Sequence, residues 1–339
     1  MNKFDWQATE SAPQNYVMTI IGGSLGYHDG SGSLYVPDKS NIDFGWGKGK
    51  GKGISSHVVG PDRKPLPNRL AISFFSYTEN QFYQGIFELS YNKILKMFQE
   101  GYYSPGNGIE GGHTTYDAII VGVAPGGAVA VWLNGIDKTT EVFFGYAGKV
   151  EMEWGSLTPA THIIREDYIR KSILYSFPTP EGKRMKDPQD KQQALEALLK
   201  NGVPFGLWES YRTQYHWQPL FTGMSVRDGL IDDITYFNGE SDYLYIPLAP
   251  AIAARTRPVP KELSYIWMPP TGVRGQSMTL NFNEDEIVAA FKKLGSNNQP
   301  LQLEMRMVKN DAGYDFTVWL RNDNDSVELK LTTFKVFST

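Results

Sequence analysis

The alternation of apolar and polar residues predicts strands over most of this chain and helices in only a few places. Strands are expected at residues 15–22, 33–37, 70–77 and 84–89, which are rich in aromatic and β-branched residues and bounded by Gly, Pro and Asp. The apolar stretch 118–133 reads as two buried strands about Pro125-Gly126-Gly127, and residues 140–152 supply a closing strand. A helix is expected at 91–100, with Ser90 placed to cap it and Gly101 to end it. Another is expected at 284–294, where Asn283 and Glu286 have capping-box spacing and Gly295 follows. Between these halves, residues 164–175 form an amphipathic helix through Ile164, Tyr168, Ile169, Ile173 and Leu174. A polar loop at 177–186 leads to a second helix, capped by Asp187 with Pro188 in its first position and running to Lys200.

The two halves resemble each other. Residues 65–98 align without a gap with 258–291, matching Pro65/Pro258, Pro67/Pro260, Leu70/Leu263, Ile94/Ile287 and Phe98/Phe291. Val131-Trp132-Leu133 matches Val318-Trp319-Leu320, and Lys149-Val150 matches Lys335-Val336. Leu34-Tyr35-Val36-Pro37 matches Leu244-Tyr245-Ile246-Pro247, and Trp6 sits where Trp208 does. Collinear blocks of this kind point to an internal duplication. The expected fold is α+β: two duplicated β-rich units, each a mainly antiparallel sheet with one helix, joined by a two-helix bridge. The expected divisions are 1–155 for the first unit, 156–203 for the bridge and 204–339 for the second unit.

Composition narrows the function classes. With 33 Lys+Arg against 37 Asp+Glu, the chain lacks the basic excess of a nucleic-acid binder. It has no cysteine, which excludes disulfides, thiolate nucleophiles and Cys-ligated metals. The first twenty residues hold no apolar signal segment, and Pro125-Gly126-Gly127 interrupts the longest apolar run. A soluble chain without a membrane span is expected, cytoplasmic as written, or periplasmic if this is a processed form.

Gly22-Gly23-Ser24-Leu25-Gly26 is a formal G-x-S-x-G. An esterase-like hydrolase would use Ser24 as nucleophile with His28 or His113 as base, but the elbow needs a helix after the turn, and 27–32 offers none. A duplicated strand-end turn explains this motif and its counterpart at Ser225. The loop 45–53 carries Trp46, Lys48, Lys50 and Lys52, but matches no phosphate-binding pattern; it suits a solvated loop or a dock for an anionic partner. The five histidines are isolated, so no metal or other cofactor is expected. Glu284-Asp285-Glu286 reads as a helix N-terminus attracting carboxylates. Glu79, Glu88 and Asp117 are candidate acids that nothing pairs, and His113 is a loop histidine beside a Gly-rich stretch. Tyr211, Arg212 and Trp217 lie in a dense aromatic segment that suits either a partner hot spot or a strand with Tyr215 and Trp217 against the core. Exposed Trp46, Tyr83, Tyr211 and Trp217 would instead suit a glycan- or lipid-binding protein.

Several of these segments together resemble a known family. They are Trp6 through Ser11-Ala12-Pro13, Leu66-Pro67-Asn68-Arg69-Leu70, Ser76-Tyr77-Thr78-Glu79 with Gln81-Phe82-Tyr83, and Phe205-Gly206-Leu207-Trp208-Glu209. They are similar to the bacterial family labelled domain of unknown function 2931, over nearly the whole chain. The resemblance implies no established reaction and no catalytic residues. Many members are lipoproteins, whereas this chain lacks the lipidation cysteine. It also implies a link to type VI secretion, with an immunity or accessory protein that binds an effector such as a phospholipase. The expected function is therefore non-catalytic protein binding. Its candidate contacts are Trp46, Lys48, Lys50, Lys52, Glu79, Tyr83, His113, Tyr211, Arg212 and Trp217.

Overall fold

Strands joined by a few helices make up the chain, which is α+β as its residue pattern predicts. The computed structural model describes residues 3–47, 61–104, 112–159, 162–176, 196, 200–223, 229–243, 253–267, 276–297, 299–310 and 313–338. The chain divides into units Met1–Trp208 and Glu209–Thr339. Nearly all of the expected helix 187–200 lies outside the described residues.

In the first unit, β3 (Met18–Tyr27), β7 (Pro67–Ser76) and β8 (Gln81–Glu88) form an antiparallel sheet. It is extended by β4 (Ser33–Tyr35) and β5 (Asn41–Ile42) beside β3, and by β14 (Gly148–Val150) beside β8. A second sheet takes the order β2 (Gln7–Ser11), β11 (Ala118–Ala124), β12 (Ala128–Gly135) and β13 (Lys138–Tyr146). Only the β2–β11 pair in it is parallel. Two small ribbons pair β1 (Lys3–Asp5) with β6 (Arg63–Pro65), and β9 (Tyr102–Tyr103) with β10 (His113–Thr114).

The core of this unit joins Ile20, Leu25, Leu70, Ile72 and Phe74 to Ile119, Val121, Val129, Val131 and Leu133. Helix α1 (Tyr91–Glu100) adds Ile94 and Phe98 and stops at Gly101, whose φ of 58° favours glycine. Ser90 precedes this helix, but its side chain makes no capping hydrogen bond. A second difference from the sequence pattern is in β3, which runs straight through Gly22-Gly23-Ser24-Leu25-Gly26 instead of turning there. Packing favours glycine at 23, because a Cβ there would lie 3.0 Å from Cβ of Val36.

Between β1 and β2 the chain breaks its pairing at Trp6, and a buried cation holds the break. Lys64 donates from Nζ to the Trp6 carbonyl at 2.6 Å and lies 5.5 Å from the Trp6 ring centroid. Burial lowers the Lys64 pKa, while Asp5 and Asp62 act against that shift.

The outer face of the β3–β7–β8 sheet is covered by α2 (Arg165–Ser176), whose Ile169 and Ile173 pack with Phe75, Tyr77 and Phe82. The Arg165 guanidinium lies 5.0–5.6 Å from the rings of Phe75, Phe82 and Trp154. Its Nε donates to Asn80 Oδ1 at 2.7 Å. Tyr77 donates to Asn41 Oδ1 at 2.9 Å, and burial pushes its pKa up to about 12.

In the second unit, one sheet takes the order β18 (Arg255–Pro258), β15 (Gln214–Thr222), β21 (Leu301–Asn310), β22 (Gly313–Arg321) and β23 (Ser326–Glu328), with β15 and β21 parallel. The other takes the order β17 (Ser241–Asp242), β16 (Gly229–Tyr236), β19 (Pro260–Trp267), β20 (Gln276–Asn281) and β24 (Thr333–Ser338), all antiparallel. Helix α3 (Glu284–Leu294) is capped as its sequence predicts, with Asn283 Oδ1 accepting from Glu286 N at 3.1 Å. It places Ile287 and Phe291 in a core with Trp217, Leu263, Tyr265, Leu303 and Val318. Buried Arg257 donates from Nη1 to the Trp217 carbonyl at 3.0 Å, and its guanidinium is 5.4 Å from the Trp217 ring.

Two outcomes follow. Lys64→Met removes the charged donor from a buried carbonyl and lowers stability by about 2 kcal/mol in urea unfolding. Raising the pH from 10 towards 12 destabilises the fold, because tyrosine ionises at 10.0 when unfolded while Tyr77 resists until about 12. Below pH 10 this contribution is fully present. Tyr83, Tyr102 and Tyr236 are shifted in the same direction and share the effect. Tyr77→Phe therefore makes the alkaline fall in unfolding free energy shallower, without abolishing it.

Candidate binding surface

Most of the chemistry singled out in the sequence is used internally. Ser24 lies mid-strand, opposite Tyr35 on one side and Ala71 on the other, so no nucleophile elbow is formed there. The His28 ring stacks on Tyr91, with centroids 3.6 Å apart. Lys48, Lys50 and Lys52 lie outside the described residues.

Three of the aromatic candidates are buried, which takes them out of any contact surface. Trp46 packs edge-on to Trp132 at 4.9 Å and lies 5.8 Å from Trp208. Gly122 makes room for these indoles, since a Cβ there would come within 2.4 Å of Trp132. Trp208 also packs on Tyr16 and donates from Nε1 to Pro125 O at 3.0 Å. Trp217 is fully buried against Phe291 and donates from Nε1 to Pro258 O at 3.1 Å. Strand alternation, with Trp217, Pro219 and Phe221 all turned inward, accounts for its burial.

Tyr83 is buried on Phe74, and its hydroxyl donates to Glu79 Oε1 at 2.7 Å. The other Glu79 oxygen accepts from Gly126 N at 2.9 Å. Burial raises the Tyr83 pKa, and the Glu79 carboxylate adds to the shift. Glu79 therefore ties the β7–β8 turn to the β11–β12 turn. Tyr211 is half-buried, stacked on Phe237, and donates to Glu284 Oε1. Arg212 is half-buried beside it and donates its backbone N–H to Glu209 O at 3.0 Å.

His113 alone of the described candidates lies on exposed surface, and the structure surrounds it with residues that the sequence pattern does not single out. It is directly opposite Tyr103 in the β9–β10 ribbon, which puts the two side chains on one face. Tyr103 is 50% exposed, and Ile136, on the turn between β12 and β13, is 40% exposed. Two side chains fasten the ribbon to that turn. Tyr102 donates to Ile136 O at 2.7 Å, and Ser104 Oγ donates to Asp137 Oδ2 at 2.7 Å. Gly135 is required beside them, because a Cβ there would lie 2.2 Å from the Tyr102 hydroxyl. Burial raises the Tyr102 pKa, with Tyr116, Asp117 and Asp137 adding to the shift, so the phenol stays a donor. The result is a fixed corner: the ribbon presents Tyr103 and His113 on one face, and the turn fastened to it through Tyr102 and Ser104 carries exposed Ile136. A Tyr pair after Gly101 was a visible signal, because strand alternation must expose one of its members.

Among the described residues no group of three His, Asp or Glu side chains is placed to hold a metal ion. No described helix is long and apolar enough to cross a membrane.

Glu79→Ala leaves the Gly126 N–H and the buried Tyr83 hydroxyl without an acceptor, and should cost about 2–3 kcal/mol in thermal or urea unfolding. Glu79→Gln keeps an acceptor and should cost less.

Residues 1–206 match the family described as Protein of unknown function (DUF2931). No curated protein matches the chain, and no solved structure does.

Proposed function

The chain belongs to the DUF2931 family of proteins of unknown function, and on that premise we propose that it is a non-catalytic protein-binding module. The observation that supports this reading is the corner of Tyr103, His113 and Ile136. Exposed tyrosine on a rigid, hydrogen-bonded support loses little side-chain freedom on binding and is enriched at the energetic centres of interfaces. In its specific form the proposal is an immunity or accessory protein that holds a type VI secretion effector, such as a phospholipase. That form rests on the sequence resemblance described above.

We further infer that the second unit is a diverged copy of the first, and pairing registers support this. Leu25 faces Leu70 as Ile234 faces Leu263, and a register irregularity follows both, at Gly26/Tyr27 and at Thr235/Tyr236. Arg69 faces Glu88 as Glu262 faces Asn281, and Leu133 faces Ile119 as Leu320 faces Leu303. The registers keep the Val131–Leu133 and Leu70 matches but move others. Lys3 opposite Pro65 corresponds to Gln214 opposite Pro258, which puts Trp217, not Trp208, in the place of Trp6. Leu34 opposite Leu25 corresponds to Asp242 opposite Ile234, not to Leu244. Gly148 opposite Gln84 corresponds to Phe337 opposite Ser277, so Lys149 does not align with Lys335. The buried cation on the tryptophan carbonyl, Lys64 on Trp6 and Arg257 on Trp217, is then a shared feature.

A tagged chain used as bait in the native host should retain a stoichiometric protein partner, identified by mass spectrometry. Tyr103→Ser combined with Ile136→Ser should weaken that capture at least tenfold while leaving the circular dichroism spectrum unchanged. Undiminished capture by the double variant would remove the corner from the interface.

A further inference from the structure

The two units differ in how they close one side: among the described residues, the second lacks a strand pairing that the first has. In the first unit β13 carries a bulged residue, buried Val142, and then continues along β12, pairing residues 143–146 with 128–131. In the second unit the same course begins: Glu328 faces Trp319 as Glu141 faces Trp132, and buried Leu329 donates its N–H to Val318 O at 2.8 Å. There the two units part. The backbone N–H groups of Lys330 and Leu331 turn to the Glu286 carboxylate, at 2.8 and 2.9 Å. Glu286 is the third residue of α3, and the third residue of α1 is Lys93, which donates to Glu141 O at 3.1 Å. A carboxylate in place of an ammonium thus draws the chain off the strand edge instead of supporting it there.

What remains is a free edge. Among the described residues no strand pairs with 313–317 of β22 on the side away from β21. The Val318 carbonyl points to that side, so strand periodicity points the backbone N–H and C=O of Tyr314 and Phe316 there as well. Beside this edge is a cavity of about 170 Å³, lined by Phe316, Val318, Leu329, Thr332 and Phe334 among others. Phe316 and Phe334 lie 4.9 Å apart, and Phe334 and Val336 of β24 are each 43% exposed. Thr332 Oγ1 is screened from solvent and has no hydrogen-bond partner.

We propose that this edge and cavity form a strand-acceptor site, occupied by an extended segment of a partner protein that pairs antiparallel with 313–317 of β22. The first unit shows the occupant that fits such a place: an extended strand, as residues 143–146 are on β12. Backbone hydrogen bonds to Tyr314 and Phe316 supply affinity, and alternate apolar side chains of the incoming segment enter the cavity beside Phe316 and Phe334. This deepens the protein-binding reading and rests on it, while using residues of the second unit where the Tyr103 corner uses residues of the first.

The test uses the full chain and a displayed library of eight-residue peptides. Enriched peptides should alternate apolar with polar residues. A synthetic copy of the strongest, followed by fluorescence anisotropy, should lose at least tenfold in affinity against Phe334→Lys and be unchanged against the Tyr103→Ser/Ile136→Ser variant. Phe334 is well exposed, and Thr317→Lys, at another partly exposed position of the cavity lining, gives the same readout if Phe334→Lys does not fold. Failure to enrich alternating peptides, or binding indifferent to both lysine variants, overturns the site. If the host partner binds the lysine variants normally, the strand-acceptor site falls and the protein-binding reading stands. If neither peptide nor host protein binds the wild-type chain, both fall.

Discussion

Each unit depends on one parallel pairing between strands far apart in sequence. Gln7–Ser11 lies along residues 118–122, and residues 217–222 lie along 301–306. A parallel pair cannot be joined by a tight turn, so everything between the partners must leave the sheet and return. In the first unit that excursion builds the β3–β7–β8 sheet and then α1, whose Ile94 and Phe98 enter the same core as Val121 and Val131. The second unit does the same with β16, β19, β20 and α3. The helix is therefore the return leg of a long crossover, which is why each unit has one helix in its core and mostly antiparallel neighbours.

The buried cation belongs to the same constraint. Where the chain enters the parallel strand, its preceding residues pair instead with a short strand from later in the chain. A tryptophan sits at or beside that change of partner in both units, and its carbonyl is answered by Lys64 or Arg257. Placing an ammonium or guanidinium in a core is costly unless its donors are met. Here the carbonyl meets one donor and the indole face attracts the charge.

Local signals in the sequence were legible and non-local ones were not. The β11–β12 hairpin, both core helices, the Asn283 cap and the inward alternation at Trp217 follow from spacing within a few residues. Trp46 and Tyr83 look like surface chemistry because their partners, Trp132 with Trp208 and Glu79 with Gly126, come together only in the fold. Gly22 to Gly26 looked like a turn, but in β3 a glycine admits the neighbouring Val36. Glu286 satisfies the simple rule that acidic residues favour a helix N-terminus, and that rule hides its grip on Lys330 and Leu331 more than forty residues away.

The parallel pairing also sets a clock for synthesis. More than a hundred residues separate Gln7 from Ala118, its partner. At roughly 5–20 residues per second, the ribosome leaves this strand without its neighbour for on the order of 6–20 s. During that interval Gln7–Ser11 is an unpaired β-strand on a nascent chain, open to any other edge it meets. The antiparallel hairpins between β7 and β8 and between β11 and β12 carry no such delay, because their partners emerge together. Gln7–Ser11 thus waits longer for its neighbour than the strands of either hairpin, and that interval is when it is most exposed to misassembly.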